Sequence, residues 1–162
     1  MGRRRETGWP PAPEQVGAGV ELVDNHTHLE SVEAWDADGW DAADPERRPH
    51  RGDHAERAAA VGVTPLVQVG CDLDAITWTD RLLTDTQGVL DGGVRVLGAV
   101  AVHPNEAVLH AGVREVAPDG LDPDPQPRHE VSLDDAVARV EQVARTNPRI
   151  RACGGTGLDH FR

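Results

Sequence analysis

The sequence is poor in aromatic residues, lacks lysine and tyrosine, and contains no long apolar run. Aromatic residues make up only 3% of the 162 residues, with one Phe and four Trp, so the core must be built mainly from Val, Leu, Ile and Ala. These aliphatic residues suit buried parallel strands and the helices that cover them. No stretch approaches the roughly 20 apolar residues that a membrane-spanning helix needs. We therefore expect no contact with a membrane.

Positive charge is also scarce. The chain has 28 acidic against 16 basic residues and a formal net charge of −12, so nucleic acid would meet repulsion unless bound cations or a local arginine cluster intervened. The run Arg3–Arg5 is not followed by the apolar segment of a secretion signal, because residues 6–19 are polar and proline-rich. We expect a cytoplasmic protein. Its two cysteines, Cys71 and Cys153, each end an apolar run and are expected to be free buried thiols.

Residues 1–19 show neither helical nor strand periodicity and are predicted to form a flexible leader. After this leader, apolar runs alternate with segments of helical spacing. Strands are predicted at Val20–Asn25, Pro65–Val69, Val94–Val102 and Arg149–Cys153. Helices are predicted at Asp53–Val61, Asp74–Gln87 and Leu133–Thr146. Two longer excursions, Glu30–Gly52 and Ala117–Glu130, follow strands at the end where α/β proteins place their ligands.

This order of elements predicts an α/β fold in which helices cover a buried parallel sheet through right-handed crossovers. A four-stranded doubly wound domain and half of a closed barrel share the order, so periodicity alone leaves both open. The length of 162 residues is well short of the roughly 250 typical of a complete eight-unit barrel.

The segment Asp24–Glu30 directly follows the first predicted strand and contains two histidines spaced by one residue. In an extended chain His26 and His28 project to the same side, so their imidazoles converge and can bind one cation. Imidazole nitrogens suit Zn, Mn, Fe or Ni, and two of them with a carboxylate leave positions for a water that attacks an ester or phosphodiester. Two surface histidines spaced by chance are the alternative on this pattern alone.

Four ordered motifs resemble the TatD family of metal-dependent hydrolases. Val23–Glu30 resembles the family's opening D-x-H-x-H-L-[DE] motif, and Leu66–Cys71 its second strand. Gly98–Glu106 is similar to the G-x-H-P-x-E third strand, and Gly154–Asp159 to the G-E-x-G-L-D fourth strand. The resemblance runs from residue 20 to residue 162 and implies the N-terminal half of such a hydrolase: a partial TIM barrel of about four parallel strands with covering helices.

Carried over position by position, the resemblance implies that His26 and His28 bind the first metal, with Mg, Mn or Zn as the divalent cofactor. It implies that His103, at the rim of the third strand, contacts substrate, and that Asp159 braces the site from behind the ligands. A loop histidine fixed by its proline and a helix N-cap are the respective alternatives. Glu30 is expected to help order the histidines. The implied activity is hydrolysis of phosphodiester bonds, with DNA as the substrate class.

The sequence also departs from the family pattern. Gly155 stands where the family has a carboxylate that holds or bridges metals, and because glycine supplies no ligand, a dinuclear site should lose its second metal first. The family's later ligands, two histidines and an aspartate, have no replacement here. The remaining histidines are expected in loops or helices, where solvated histidine is usual: His50, His54, His110, His129 and His160. We expect the chain alone to be inactive or nearly so.

Two other functions remain open from the sequence. A four-strand half-barrel has two open sheet edges, which can recruit a second copy or a separate chain carrying the missing half. A non-catalytic metal-binding or assembly module is therefore the alternative to an enzyme. A small α/β domain unrelated to the family, in which the spacing of His26 and His28 is accidental, is the third hypothesis.

Overall fold

Strands and helices alternate along the chain. The computed structural model of the protein describes residues 14, 19–39, 50–116, 120, 122–155 and 157, with the backbone alone for 35–39. The strands are β1 (Leu22–Thr27), β2 (Val63–Gly70), β3 (Arg95–Val100) and β4 (Ile150–Cys153). The helices are α1 (Leu29–Gly39), α2 (Arg51–Ala60), α3 (Leu73–Asp85), α4 (Pro104–His110) and α5 (Leu133–Thr146).

The four strands form one parallel sheet in the order β1-β2-β3-β4. Each strand is therefore added on the same side of the one before it, as along the wall of a barrel, whereas a doubly wound sheet reverses direction at a switch point. The carboxyl ends of all four strands lie at one edge of the sheet. The α/β prediction of about four parallel strands with covering helices is confirmed, and the arrangement is consistent with part of a TIM barrel.

The core lies between the sheet and the helices α3 and α5. Ile76 and Leu83 of α3, Val96 of β3 and Val143 of α5 are all fully buried. Gly98 permits this packing, because a Cβ there would collide with Ile150 Cδ1 and would lie 2.7 Å from Leu83 Cδ1. Close packing of this kind fixes the strands rigidly beneath the residues at their carboxyl ends.

The first excursion, Glu30–Gly52, contains a helix that was not predicted, since α1 begins at Leu29 and ends at Gly39. Helix α2 begins at Arg51, two residues earlier than expected. His50 caps α2, since its Nδ1 accepts the Gly52 N–H at 2.9 Å. Helix α4 was also missed. The helical spacing of apolar residues is a weak signal in α1, which is rich in acidic residues, and in α4, which has only seven residues.

Some predictions lie outside the described residues. These include nearly all of the predicted leader at 1–19 and the segments 40–49 and 158–162. Among the described residues, no helix is both long and apolar enough to cross a membrane.

Candidate metal centre

Two imidazoles meet at the carboxyl end of β1. Nε2 of His26 lies 3.2 Å from Nε2 of His28, and the ring centroids are 5.0 Å apart with an interplanar angle of 70°. Two nitrogens bound to one tetrahedral Zn²⁺ at about 2.0–2.1 Å would be separated by roughly 3.3 Å. The spacing of this pair therefore fits a shared cation, while the role of His26 and His28 as ligands stays a prediction.

The orientation of His28 is fixed by the neighbouring strand. Its Nδ1 lies 2.9 Å from the Val69 carbonyl oxygen, and Glu30 Oε1 lies 3.4 Å from the same nitrogen. Because a carbonyl oxygen only accepts, Nδ1 carries the proton and the neutral ring keeps its lone pair on Nε2. A backbone carbonyl behind a ligating histidine is a common way to set this tautomer.

Beneath the pair lies Gln68, a fully buried amide in β2. Its Oε1 accepts the Leu29 N–H at the start of α1 at 2.7 Å, while its Nε2 donates to the Glu30 carboxylate and to the Thr79 hydroxyl. The amide thus ties α1 and Glu30 to the sheet. Gln68 was not among the predicted site residues, although it is the one polar residue in the apolar run Pro65–Val69, which is the signal that marks it.

Gly155, which the resemblance predicts to stand at the family's carboxylate position, lies just after β4. Gly155 has φ +79°, and a Cβ there would meet Cys71 Sγ at 3.2 Å and Ala101 Cβ at 3.9 Å. A glutamate at this position would therefore need a change of backbone conformation as well as space beside Cys71. Gly155 therefore lies next to the carboxyl end of β2, close to Val69, whose carbonyl orients His28.

Both cysteines are free, as predicted. Cys71 is half-buried and Cys153 is exposed, so the expectation that both are buried is wrong. Cys153 is exposed because β4 is an edge strand, which among the described residues pairs with β3 on one side alone. Burial, with the charges of Glu30 and Asp72 adding to it, raises the pKa of the Cys71 thiol.

His103 lies at the end of β3, where it begins α4. Its backbone N–H donates to the Cys71 carbonyl at 2.9 Å, and its Nδ1 accepts the Asn105 N–H at 3.3 Å as the N-cap of the helix. His103 is therefore held at the rim of the sheet, and its contact with substrate stays a prediction. Asp159 and His160 lie outside the described residues.

His110 and His129 were predicted to be solvated, and this is wrong. Each is only 6% exposed, and their ring centroids lie 4.9 Å apart at an interplanar angle of 72°. His110 ends α4, whereas His129 comes from a 3₁₀ turn, Pro127–Glu130, in the second excursion. The turn folds this excursion back onto α4, and the two rings are buried between them.

Glu106 of α4 joins these histidines to an arginine. Arg128 donates to both carboxylate oxygens, from Nε at 2.7 Å and from Nη2 at 3.0 Å, and His129 Nε2 lies 2.8 Å from Oε2. Burial would raise the pKa of Glu106, but hydrogen bonds from Arg128 and His129 outweigh it and hold that pKa below its ordinary value of 4.5. The ligand-type atoms of Glu106, His110 and His129 all lie within 4.8 Å of one another, a group that could hold a metal ion.

A parallel sheet of this order, with paired histidines at the end of its first strand, is typical of metal-dependent hydrolases built on a TIM barrel. The family described as TatD related DNase matches residues 23–162. A protein of Mycobacterium tuberculosis named as an uncharacterized metal-dependent hydrolase TatD is 32% identical over 140 residues, which cover 86% of this chain and 38% of that relative. The chain belongs to the TatD family, as the motifs predicted.

Proposed function

We propose that this chain carries the first part of the active centre of a metal-dependent phosphodiesterase, with DNA as its substrate class. The observation that supports this most directly is the 3.2 Å approach of Nε2 of His26 to Nε2 of His28. The description of the matching family names a DNase activity, and we extend that activity to this chain as part of the proposal.

In this proposal His26 and His28 hold a divalent ion, Mg, Mn or Zn, which when bound supplies an acidic water and neutralises charge on the phosphate. Val69 keeps the lone pair of His28 on Nε2, and Gln68 fixes Glu30 beside the ring. His103, placed at the rim by its cap, would contact the substrate. Bound cations would also offset the repulsion between DNA and a chain of net charge −12.

We further propose that the activity of this chain is low. Gly155 supplies no ligand at the family's carboxylate position, and its positive φ and the nearby Cys71 thiol oppose a larger side chain there. The chain spans 38% of the length of the mycobacterial relative, so the activity of a whole TatD protein is an expectation for this sequence and not a property of the described residues. Its cytoplasmic location likewise remains a prediction.

The test is cleavage of end-labelled DNA by the chain in Mg²⁺, Mn²⁺ or Zn²⁺, compared with the His26→Ala/His28→Ala double variant. We expect weak, metal-dependent cleavage that the double variant lacks, and no loss in His50→Asn, which removes an imidazole elsewhere while keeping a helix cap. Cleavage that survives in the double variant would contradict the assigned site. Vigorous cleavage by the unchanged chain would contradict the low activity, and a gain on Gly155→Glu would support the ligand position.

An assembly module is a second candidate, favoured by one observation. Val23 on the edge strand β1 is 61% exposed and Leu97 of β3 is 42% exposed, so apolar side chains of the sheet are open to a partner, either a second copy or a chain with the later strands. Sedimentation of the chain and of a Val23→Glu variant tests this. A dimer that the variant breaks favours assembly, whereas a monomer that binds no metal contradicts it.

A further inference from the structure

We infer that Glu106, His110 and His129, which we call the rim cluster, form a second metal site, suited to a zinc-class divalent ion. It shares no residue with the pair His26 and His28. Helix α4 supplies two of its side chains and the turn Pro127–Glu130 supplies the third, so a bound ion would fasten the second excursion to the end of β3.

The strongest sign of a ligand is the state of His110. Its Nδ1 lies 2.8 Å from the Val131 carbonyl oxygen and must donate to it, which leaves the lone pair on Nε2. That Nε2 is buried and has no hydrogen-bond partner among the described residues. A buried polar atom without a partner costs about 1–3 kcal/mol. A cation at Nε2 would remove this cost, and a histidine held by a backbone carbonyl is oriented as metal-binding histidines usually are.

The other two residues complete a donor set that zinc prefers. Two imidazoles with one carboxylate are a common zinc ligand set, with a fourth position left for water. The His129 side chain is 1% exposed and that of Glu106 is 17% exposed, so the donors are largely removed from solvent. The carboxylates of Glu106, Asp72 and Asp74 all lie within 4.0 Å of the guanidinium of Arg128. Three negative charges around one positive charge favour a further cation.

Without metal, Arg128 and a proton occupy the place of the ion. Arg128 holds both Glu106 oxygens, and His129 Nδ1 accepts the Gln126 N–H at 2.7 Å, so its Nε2 carries the proton that faces Glu106. On binding, this proton moves to Nδ1, the Gln126 contact is lost, and Nε2 becomes a ligand. Arg128 shifts toward Asp72 and Asp74, whose oxygens are already 3.9 Å and 3.7 Å away. Arg128 is thus a competitor of the ion.

The experiment uses the full chain carrying His26→Ala/His28→Ala, which removes the first metal site. Metal binding to this variant therefore tests the rim cluster independently of the proposed function. Zn²⁺ binding is measured by calorimetry, and Co²⁺ is followed by its visible absorption. We expect one ion per chain, with affinity lowered at least about 100-fold by His110→Ala or by the isosteric Glu106→Gln. Arg128→Leu should raise the affinity about tenfold, while Arg139→Leu, which alters an arginine paired with Asp80, should leave it unchanged.

Two results would overturn the inference: no ion bound to the His26→Ala/His28→Ala protein, or an affinity that ignores both His110→Ala and Glu106→Gln. A weaker affinity in Arg128→Leu would also contradict it, since a purely structural network has no competitor to remove. Because a variant in a buried cluster can fail to fold, ¹⁵N spectra of the histidine rings provide a second test. Zn²⁺ must move the Nε2 resonances of His110 and His129 in the protein that keeps the rim cluster intact.

Discussion

Within the described part of the chain, two histidine pairs have nearly the same ring geometry in opposite surroundings. The centroids of His26 and His28 are 5.0 Å apart at 70°, and those of His110 and His129 are 4.9 Å apart at 72°. The first pair lies on one exposed strand end, whereas the second is buried between two elements. Ring geometry alone therefore does not define a reactive site. A reactive site also needs access for water and substrate, and of the two pairs the first is the one that is exposed. We therefore propose hydrolysis at His26 and His28, and a structural role for the ion at the rim cluster.

The largest effect should come from removing one imidazole of the exposed pair. We expect His28→Ala to lower the affinity of the chain for Mn²⁺ or Zn²⁺ by about 100-fold, because the ion then has one imidazole ligand at this site instead of two. Titration of a Glu106→Gln background isolates this pair from the rim cluster. His50→Asn is the matched control, with no change expected. Equal affinities for His28→Ala and the control would break the comparison, because the exposed pair would then hold no ion.

The next effect tests how the exposed pair is supported. Gln68→Leu keeps the bulk of the side chain but leaves the Leu29 N–H without its acceptor and the Glu30 carboxylate without its donor. We expect a loss of about 2–3 kcal/mol in the free energy of unfolding, measured with urea. Gln142→Leu, at an exposed position of α5, should stay within about 0.5 kcal/mol. Similar losses for the two variants would show that Gln68 carries no special support.

The contrast between the two pairs also explains what the sequence could predict. The convergence of His26 and His28 depends only on the two-residue period of a strand, so it can be expected from spacing. The burial of His110 and His129 depends on a 3₁₀ turn that folds the second excursion onto α4, and no local pattern encodes that contact. Gln68 is intermediate, since its polarity within β2 was visible, while its partners Leu29 and Glu30 lie far away in sequence.

The same division applies to the fold. The four strands are marked by apolar runs bounded by turns, and all four predictions are confirmed, with no strand end shifted by more than two residues. Helix α5 was predicted with the bounds that the structure has, because its apolar stripe and the Ser132 cap are strong local signals. The first N–H of helix α1 donates to Gln68, which is distant in sequence, and the helix lacks such a stripe, so its prediction required the tertiary structure.

A smaller effect compares a largely buried with an exposed glutamate–arginine pair. Glu106→Gln removes the charge that accepts from Arg128 and His129, and we expect a loss of about 2 kcal/mol in unfolding free energy at neutral pH. Glu141→Gln removes the charge of an exposed pair with Arg145 and should cost no more than about 0.5 kcal/mol. Equal losses would mean that burial adds nothing at the rim cluster.

The pH dependence of the same variant follows from the lowered pKa of Glu106. Since its folded-state pKa lies below the unfolded value of 4.5, the ionised carboxylate stabilises the fold above that value, and the contribution is lost as the pH falls through the folded-state pKa. Urea unfolding from neutral pH downward should therefore show a loss in the unchanged chain that is smaller in Glu106→Gln. Parallel pH profiles for the two proteins would contradict the assignment.

The smallest effect concerns Gly155, just after the end of β4. Gly155 has φ +79° and lies beside Cys71, whereas Gly154 has nothing within 4 Å and no positive φ. Gly155→Ala should cost about 1 kcal/mol, because a left-handed backbone disfavours a Cβ, and Gly154→Ala should be nearly neutral. In a Cys71→Ala background the contact with Sγ disappears but the backbone strain remains, so most of the loss should persist. If the loss vanishes in the Cys71→Ala background, crowding by Sγ and not the positive φ excludes a side chain at position 155. In that case Cys71→Ala/Gly155→Glu is the variant in which a carboxylate ligand can be restored.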